Sequence, residues 1–216
     1  NTKTIINGNV GLGTTAPSAR LTVLGDGSSA TSDFTLLNAN GSVNLEIRTG
    51  LTNLYNTFIG YSSGASNTTG VSNAALGYDA LRYNTTGFQN SAQGRSALYN
   101  NTTGVSNAAL GAYTLYNNTT AHYNSALGAY ALYNNTTGGS NSALGHGALF
   151  YNTTGTYNSA LGYYAGRYLA DGTTGNTSPD YSIYIGSDTK SLVDNSQNEI
   201  VIGYNAIGNG SNSVTL

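Results

Sequence analysis

Apolar and polar positions in this chain recur at a fixed distance rather than with the period of a helix. The phrase Asn124-Ser-Ala-Leu-Gly128-Ala-Tyr-Ala-Leu-Tyr133-Asn-Asn-Thr-Thr-Gly138 stands 17 residues after a near copy that opens at Asn107 and 17 before another that opens at Asn141. The series Asn56, Asn73, Asn90, Asn107, Asn124, Asn141 and Asn158 keeps that step, and so does Gly60, Gly77, Gly94, Gly111, Gly128, Gly145 and Gly162. A strict period of this length is the signature of stacked units, each leaning on its neighbours. Seventeen residues are too few for two packed helices and a loop. They suit one coil of a β-solenoid, with coils about 4.8 Å apart. Each unit reads as two short strand-like pieces, Ser125–Gly128 and Ala129–Tyr133, and a turn, Asn134–Gly138, whose glycine and asparagine can take left-handed corners.

Stacking turns sequence columns into ladders. One apolar column is Ile59, Leu76, Leu110, Leu127, Leu144 and Leu161, interrupted by Gln93; a second is Leu81, Leu98, Leu115, Leu132 and Leu149. Both are expected to fill a thin core. A column of small residues, Ala75, Ala92, Ala109, Ala126, Ala143 and Ala160, implies close approach of two backbones, across the coil or between chains. Polar columns run through Asn67, Asn84, Asn101, Asn118, Asn135 and Asn152 and through Thr69, Thr86, Thr103, Thr120, Thr137 and Thr154. Amide ladders satisfy one another along such a stack. Two leucines and a few alanines per coil bury little area against a backbone entropy of about 1–2 kcal/mol per residue. A homo-oligomer is therefore expected.

Either side of the repeat the pattern changes. Leu21–Leu24, Phe34–Leu37 and Val43–Ile47 read as strands, with a hairpin signal at Asn40-Gly41, while Asn9–Pro17 is turn-rich. Ser182-Ile-Tyr-Ile-Gly186 and Glu199-Ile-Val-Ile-Gly203 repeat the strand–glycine phrase 17 apart, but Gly162 and Gly186 differ by 24, which places a seven-residue insertion around Asp171–Asp180. The organisation is read as an N-terminal β-rich region, 1–55; a seven-copy solenoid, 56–172; and C-terminal β capping coils, 173–216. The fold class is read as all-β, a β-solenoid or β-roll of 17-residue coils. The chain opens at Asn1 and stops mid-pattern at Leu216, and is read as a fragment or processed product.

Composition narrows the function. Charged residues make up 7% of the chain, against about 25% in ordinary domains, and none lies between Arg95 and Arg167. With a net charge of -2 and no basic patch, neither nucleic acid nor an anionic lipid surface is an expected partner. No apolar run approaches the ~20 residues of a membrane helix, so membrane insertion is not expected. Cysteine is absent. His122 and His146 do not share a column, the nine carboxylates are scattered, and no metal, cofactor or catalytic residue is assigned; the chain is expected not to be an enzyme. The Asn-x-Thr triplets at Asn84, Asn101, Asn118, Asn135 and Asn152 are read as turn ladders rather than glycan acceptors.

Tyrosine is the abundant chemistry. Tyr99, Tyr116, Tyr133 and Phe150 form one column; Tyr113 and Tyr130 form another, beside Tyr163 and Tyr164. Either the rings stack to support the coils, or they form an exposed stripe for glycans or another surface, with Tyr99, Tyr113, Tyr116, Tyr130, Tyr133, Tyr163 and Tyr164 as candidate ligand-binding residues.

Asn9-Val-Gly-Leu-Gly-Thr-Thr-Ala-Pro-Ser-Ala-Arg-Leu-Thr-Val23 resembles a phrase common in phage tail fibres and related bacterial surface proteins. Glu199–Leu216 resembles the segment that such fibres place ahead of a C-terminal self-cleaving chaperone domain. The repeat is similar to the coils of trimeric autotransporter adhesin heads, which are trimeric β-rolls. The resemblance implies a homotrimeric extracellular segment, of a virion tail fibre or a bacterial surface appendage, that serves attachment to a cell-surface glycan or receptor. Two rival expectations are a self-assembling extracellular filament subunit and a solenoid binding ice or crystalline polysaccharide through its Thr/Asn array.

Overall fold

The computed structural model describes residues 55–216 and, before them, the backbone of four strands: β1 (Val10–Leu12), β2 (Leu21–Val23), β3 (Phe34–Leu37) and β4 (Val43–Arg48). Strands β1 and β2 pair in parallel, and β3 and β4 pair antiparallel, in keeping with the hairpin signal between them. Val10–Leu12, read as part of a turn-rich opening, is strand β1 instead; the rest of that stretch and the Asn40-Gly41 turn lie outside the described residues.

From residue 57 onward each coil contributes one short strand: β5 (Thr57–Ile59), β6 (Ala74–Leu76), β7 (Ser91–Gln93), β8 (Ala108–Leu110), β9 (Ser125–Leu127), β10 (Ser142–Leu144), β11 (Ser159–Leu161), β12 (Ile183–Ile185) and β13 (Ile200–Ile202), with β14 (Val214–Thr215) last. Strands β5 to β14 are parallel neighbours in chain order, each residue opposite its equivalent one coil away, as Ala126 is opposite Ala109 and Ala143. The all-β solenoid of 17-residue coils is thus the observed architecture. At its N-terminal end β4 pairs with β5 antiparallel.

The second half of each coil is not a strand, contrary to the sequence reading. Gly128, Tyr130 and Leu132 all have positive φ (129°, 60° and 50°), alternating with residues of ordinary φ, so the chain winds through consecutive turns. The Asn134–Gly138 turn, where left-handed corners were expected, has none among its residues. The winding persists because its N–H groups still bond between coils: Gly128 donates to Leu110 and Tyr130 to Ala112 in the preceding coil, while Leu132 donates to Ala148 in the following one (2.8, 3.0 and 3.0 Å). Hydrogen bonding between coils is therefore nearly continuous, although only three residues per coil are extended.

The core is thinner than two leucine columns would make it. Leu81, Leu98, Leu115, Leu132 and Leu149 are fully buried, and they pack with the alanine column, which points into the coil. Leu76, Leu110, Leu127, Leu144 and Leu161 are instead 42–47% exposed. Strand alternation forces this, because the central alanine of each strand faces in and its neighbours must face out. At both ends of the core the sizes are exchanged. Gly64 and Gly166 replace the leucine, and the rings of Phe58 and Tyr184 fill the space; a Cβ on either glycine would come within 2.5 or 2.6 Å of the ring. Tyr184 is wholly buried, which pushes its phenol up to about 12.

Two asparagine ladders enclose this core. In one, the Asn118 amide donates to Asn101 Oδ1 (2.7 Å) and its own oxygen accepts from Asn135 (3.0 Å). In the other, Asn107 Oδ1 accepts the backbone N–H of Asn124 (3.0 Å). Both ladders converge on a single carbonyl per coil: Asn73 and Asn84 each donate to Gly87 (2.9 and 3.0 Å). A Cβ on Gly87 would lie 2.4 Å from Asn84 Oδ1 and 2.5 Å from the Gly104 carbonyl, so crowding rather than backbone conformation dictates glycine there. The Asn-x-Thr asparagines are fully buried in the first ladder. The ladder stops at the insertion, a small hairpin bridged at Tyr168 and Gly175, slightly earlier than the sequence placed it. There Asn176 turns to the Gly166 carbonyl and the Tyr184 hydroxyl, and the buried Oδ1 atoms of Asn152 and Asn176 lack a donor.

Replacing Asn118→Ala should orphan Asn101 Oδ1 and one amide hydrogen of Asn135. Buried unsatisfied groups cost about 1–3 kcal/mol each, so a loss of roughly 2–4 kcal/mol is expected in urea denaturation. Thr120→Ala, on the exposed threonine column two residues away, should change stability by less than about 0.5 kcal/mol.

Candidate functional site

Beyond the core, the aromatic residues line the turn side of the coil. The candidate tyrosines come together as the column arithmetic requires. Tyr99, Tyr116, Tyr133 and Phe150 stack with ring centroids 4.9, 5.2 and 5.1 Å apart and interplanar angles of 5°, 9° and 10°. Tyr113 stacks on Tyr130 at 5.3 Å and 12°, and the two columns touch through Tyr113–Tyr116 and Tyr130–Tyr133, both 5.8 Å. Tyr116 and Tyr133 use both faces on the rings above and below. What remains toward solvent is a row of ring edges and hydroxyls at a pitch near 5 Å, with Tyr130 and Tyr163 among the more exposed members.

Tyr163 and Tyr164 join this ledge through a residue that sequence reasoning left aside. His146 lies 5.7 Å from Tyr130, 5.5 Å from Tyr164 and 5.5 Å from Tyr163, on which it stacks at 18°. It occupies the level where Gly147 leaves a gap in the Tyr113–Tyr130 column. The Tyr164 ring leans over that glycine, where a Cβ would meet it at 2.7 Å. The signal was present in the sequence, since His146 and Tyr163 are 17 apart.

Arginines bracket the ring stack, again in its own column: Arg82 stands 17 before Tyr99 and Arg167 stands 17 after Phe150. The Arg167 guanidinium lies 4.3 Å from the Phe150 centroid, 4.0 Å from that of Tyr164 and 4.9 Å from that of Tyr168. The cation covers ring faces that no further aromatic residue covers. At the other end Arg82 pairs with Asp79 at 2.7 Å, which holds its guanidinium above its usual range, and it lies 5.6 Å over Tyr83. A hydrogen bond with Tyr83 pushes the Tyr99 phenol up to about 12. Tyr163 and Tyr164 share a hydrogen bond that raises the phenol of Tyr163 and lowers that of Tyr164, which Arg167 lowers further.

Other polar groups do not assemble into a reactive centre among the described residues. The exposed His122 accepts the Val105 N–H through Nδ1 at 2.9 Å, and no group of three His, Asp or Glu side chains could hold a metal ion. Glu199 is buried where the asparagine ladder would continue, and it accepts from Ser191 Oγ and the Gly210 N–H (2.5 and 2.8 Å). Among the described residues no helix is long and apolar enough to cross a membrane.

The stack makes Tyr116 structural as well as accessible. Tyr116→Ala removes the ring between Tyr99 and Tyr133 and should cost about 1–3 kcal/mol in thermal or urea denaturation, whereas Tyr116→Phe keeps the stack and should stay within about 0.5 kcal/mol.

Comparison of the chain with known protein families, with curated proteins and with solved structures finds no match.

Proposed function

We propose that this chain is a structural, non-enzymatic segment of an extracellular fibre that serves attachment, working as an assembly of identical copies, three by the resemblance of its repeat. The observation that carries the reading is the aromatic ledge. Seven candidate tyrosines and His146 are held at coil spacing on a scaffold whose inter-coil hydrogen bonds leave little freedom. A rigid row of phenol hydroxyls and ring edges suits the polar and CH-rich surface of a glycan, because tyrosine combines an apolar body with a polar tip. Each contact is weak. Repetition along one chain and across copies makes the sum strong through effective concentration. The charge-free span from Arg95 to Arg167 fits a neutral glycan better than a polyanion. The setting is outside the cell, on a virion tail or a bacterial surface appendage.

The exposed threonine column, Thr86, Thr103, Thr120, Thr137 and Thr154, favours a second reading, a solenoid that binds ice or crystalline polysaccharide. Thermal hysteresis and co-sedimentation with the solid test it. The filament reading is weakened at one end, because antiparallel β4 occupies the edge on which a further parallel coil would stack.

A glycan array probed with the native protein should give retained neutral glycans. Tyr130→Ala with Tyr163→Ala, the exposed members of the ledge, should lower retention at least about tenfold through lost multivalency. Retention unchanged by that pair, or absent for every glycan, would contradict the ledge as the attachment surface.

A further inference from the structure

The outer face of the parallel sheet has a composition that solvent does not explain. Two positions per strand point outward from β5 to β13. They hold Thr, Ala, Ser or Ile in one column and Leu or Ile in the other except at Gln93, with no charged residue at any level. The leucines are nearly half exposed at five levels, and Ile185 follows them at 37%. Shallow grooves run between the ridges. One, about 360 Å³, is lined by Leu127, Leu144, Leu161, Ile185, Ser142 and Ser159, and two of about 240 and 180 Å³ lie beside Gln93. Tyr123, Tyr157 and Tyr181 stand exposed at the same edge, two residues before each strand's first position, and Tyr157 stacks on Tyr181 at 5.0 Å.

We infer that this face is where copies of the chain meet, side by side, around an axis parallel to the stack. The inference takes up the multi-copy fibre proposed above and names the surface that would join it. Three observations select a second copy as the occupant. The face repeats at the coil pitch over nine strands, and only a partner with the same pitch can match ridge to groove along the whole length. It offers no charge to a partner of opposite sign. Its dimensions also suffice: nine strands at about 4.8 Å give roughly 40 Å of length, and the three strand residues with the flanking tyrosine position give about 16 Å of width. That footprint, about 600 Å², becomes larger when its ridges are counted and approaches the ~800 Å² per partner of a stable contact.

Gln93 supplies the register. It is the one polar residue in an otherwise aliphatic column, exposed between Leu76 and Leu110, and its amide makes no hydrogen bond among the described residues. With copies level, Gln93 of each chain meets Gln93 of the next, and the amides satisfy one another. A slip of one coil would press Gln93 against leucine and leave its amide buried and unpaired. This is how a single polar residue fixes alignment in a coiled-coil seam.

The absence of cysteine gives a clean test. Gln93→Cys should be cross-linked between chains by a short bis-maleimide at least about tenfold faster than Thr120→Cys, which places the thiol on the exposed turn column. Separately, Leu127→Glu with Leu144→Glu should convert a multi-copy mass in light scattering to that of one chain while the circular dichroism spectrum is kept. A multi-copy mass that survives the double substitution, with no preferential cross-link at Gln93, would overturn the face and leave the assembly standing. A native protein that is one chain at all concentrations would overturn both.

Discussion

Hydrogen bonding between successive coils at constant register is the interaction on which the rest of this molecule depends. A single coil is too small to bury a core, and its backbone polar groups have few partners within it. Stacking gives those groups partners in the coil above or below, for the strand and for the turns alike. The buried asparagines extend the same logic to side chains. Each amide sits where water is excluded; in one ladder its oxygen accepts from the asparagine side chain one coil on, and in the other it accepts the backbone N–H one coil on. The period is thus enforced by polar satisfaction at least as much as by the leucine and alanine columns, whose small area could tolerate more variation. One unsatisfied member costs about as much as one good core contact contributes.

Much of this was legible because a strict period converts sequence directly into neighbours. The asparagine ladders, the tyrosine columns and the buried second leucine column all follow from spacing alone. Orientation did not. The first leucine column, at Leu110 and Leu127, was expected inside the coil and lies outside, because spacing says which residues stack but not which way a column faces. Conformation was equally hidden. Leu98, Leu115 and Leu132 adopt φ near 50°, which is unfavourable for leucine and has no sequence signature. The bonds between coils and the burial of the side chain hold each of them there, and Gly64 and Gly166 occupy the same place at the two ends. The ledge was legible as columns, yet His146 was missed: its column holds Ala112 and Ala129 in the preceding coils and regains a second ring only at Tyr163.

The ends of each ladder show what an interrupted period requires. Where the ring stack stops at Phe150, Arg167 covers the last face; where the alanine column stops, Phe58 and Tyr184 fill the core against glycine; where the asparagine column stops, Ser182 and Glu199 take over, and Glu199 gathers donors from residues 191 and 210. Among the described residues the exchange is incomplete at the insertion at 168–175, with two amide oxygens left without donors. A regular middle with specialised ends gives a stiff rod segment of defined length. For the attachment function we propose, order already present in the scaffold would not be lost on binding.

The most direct measurement of the central claim is hydrogen exchange of the asparagine side-chain amides by heteronuclear NMR after transfer into deuterated water. The account predicts that the amides of Asn101, Asn118 and Asn135, buried and bonded from coil to coil, persist together long after that of the exposed Asn205 has exchanged. Exchange of the three as fast as that of Asn205 would contradict an in-register stack held by buried amide ladders.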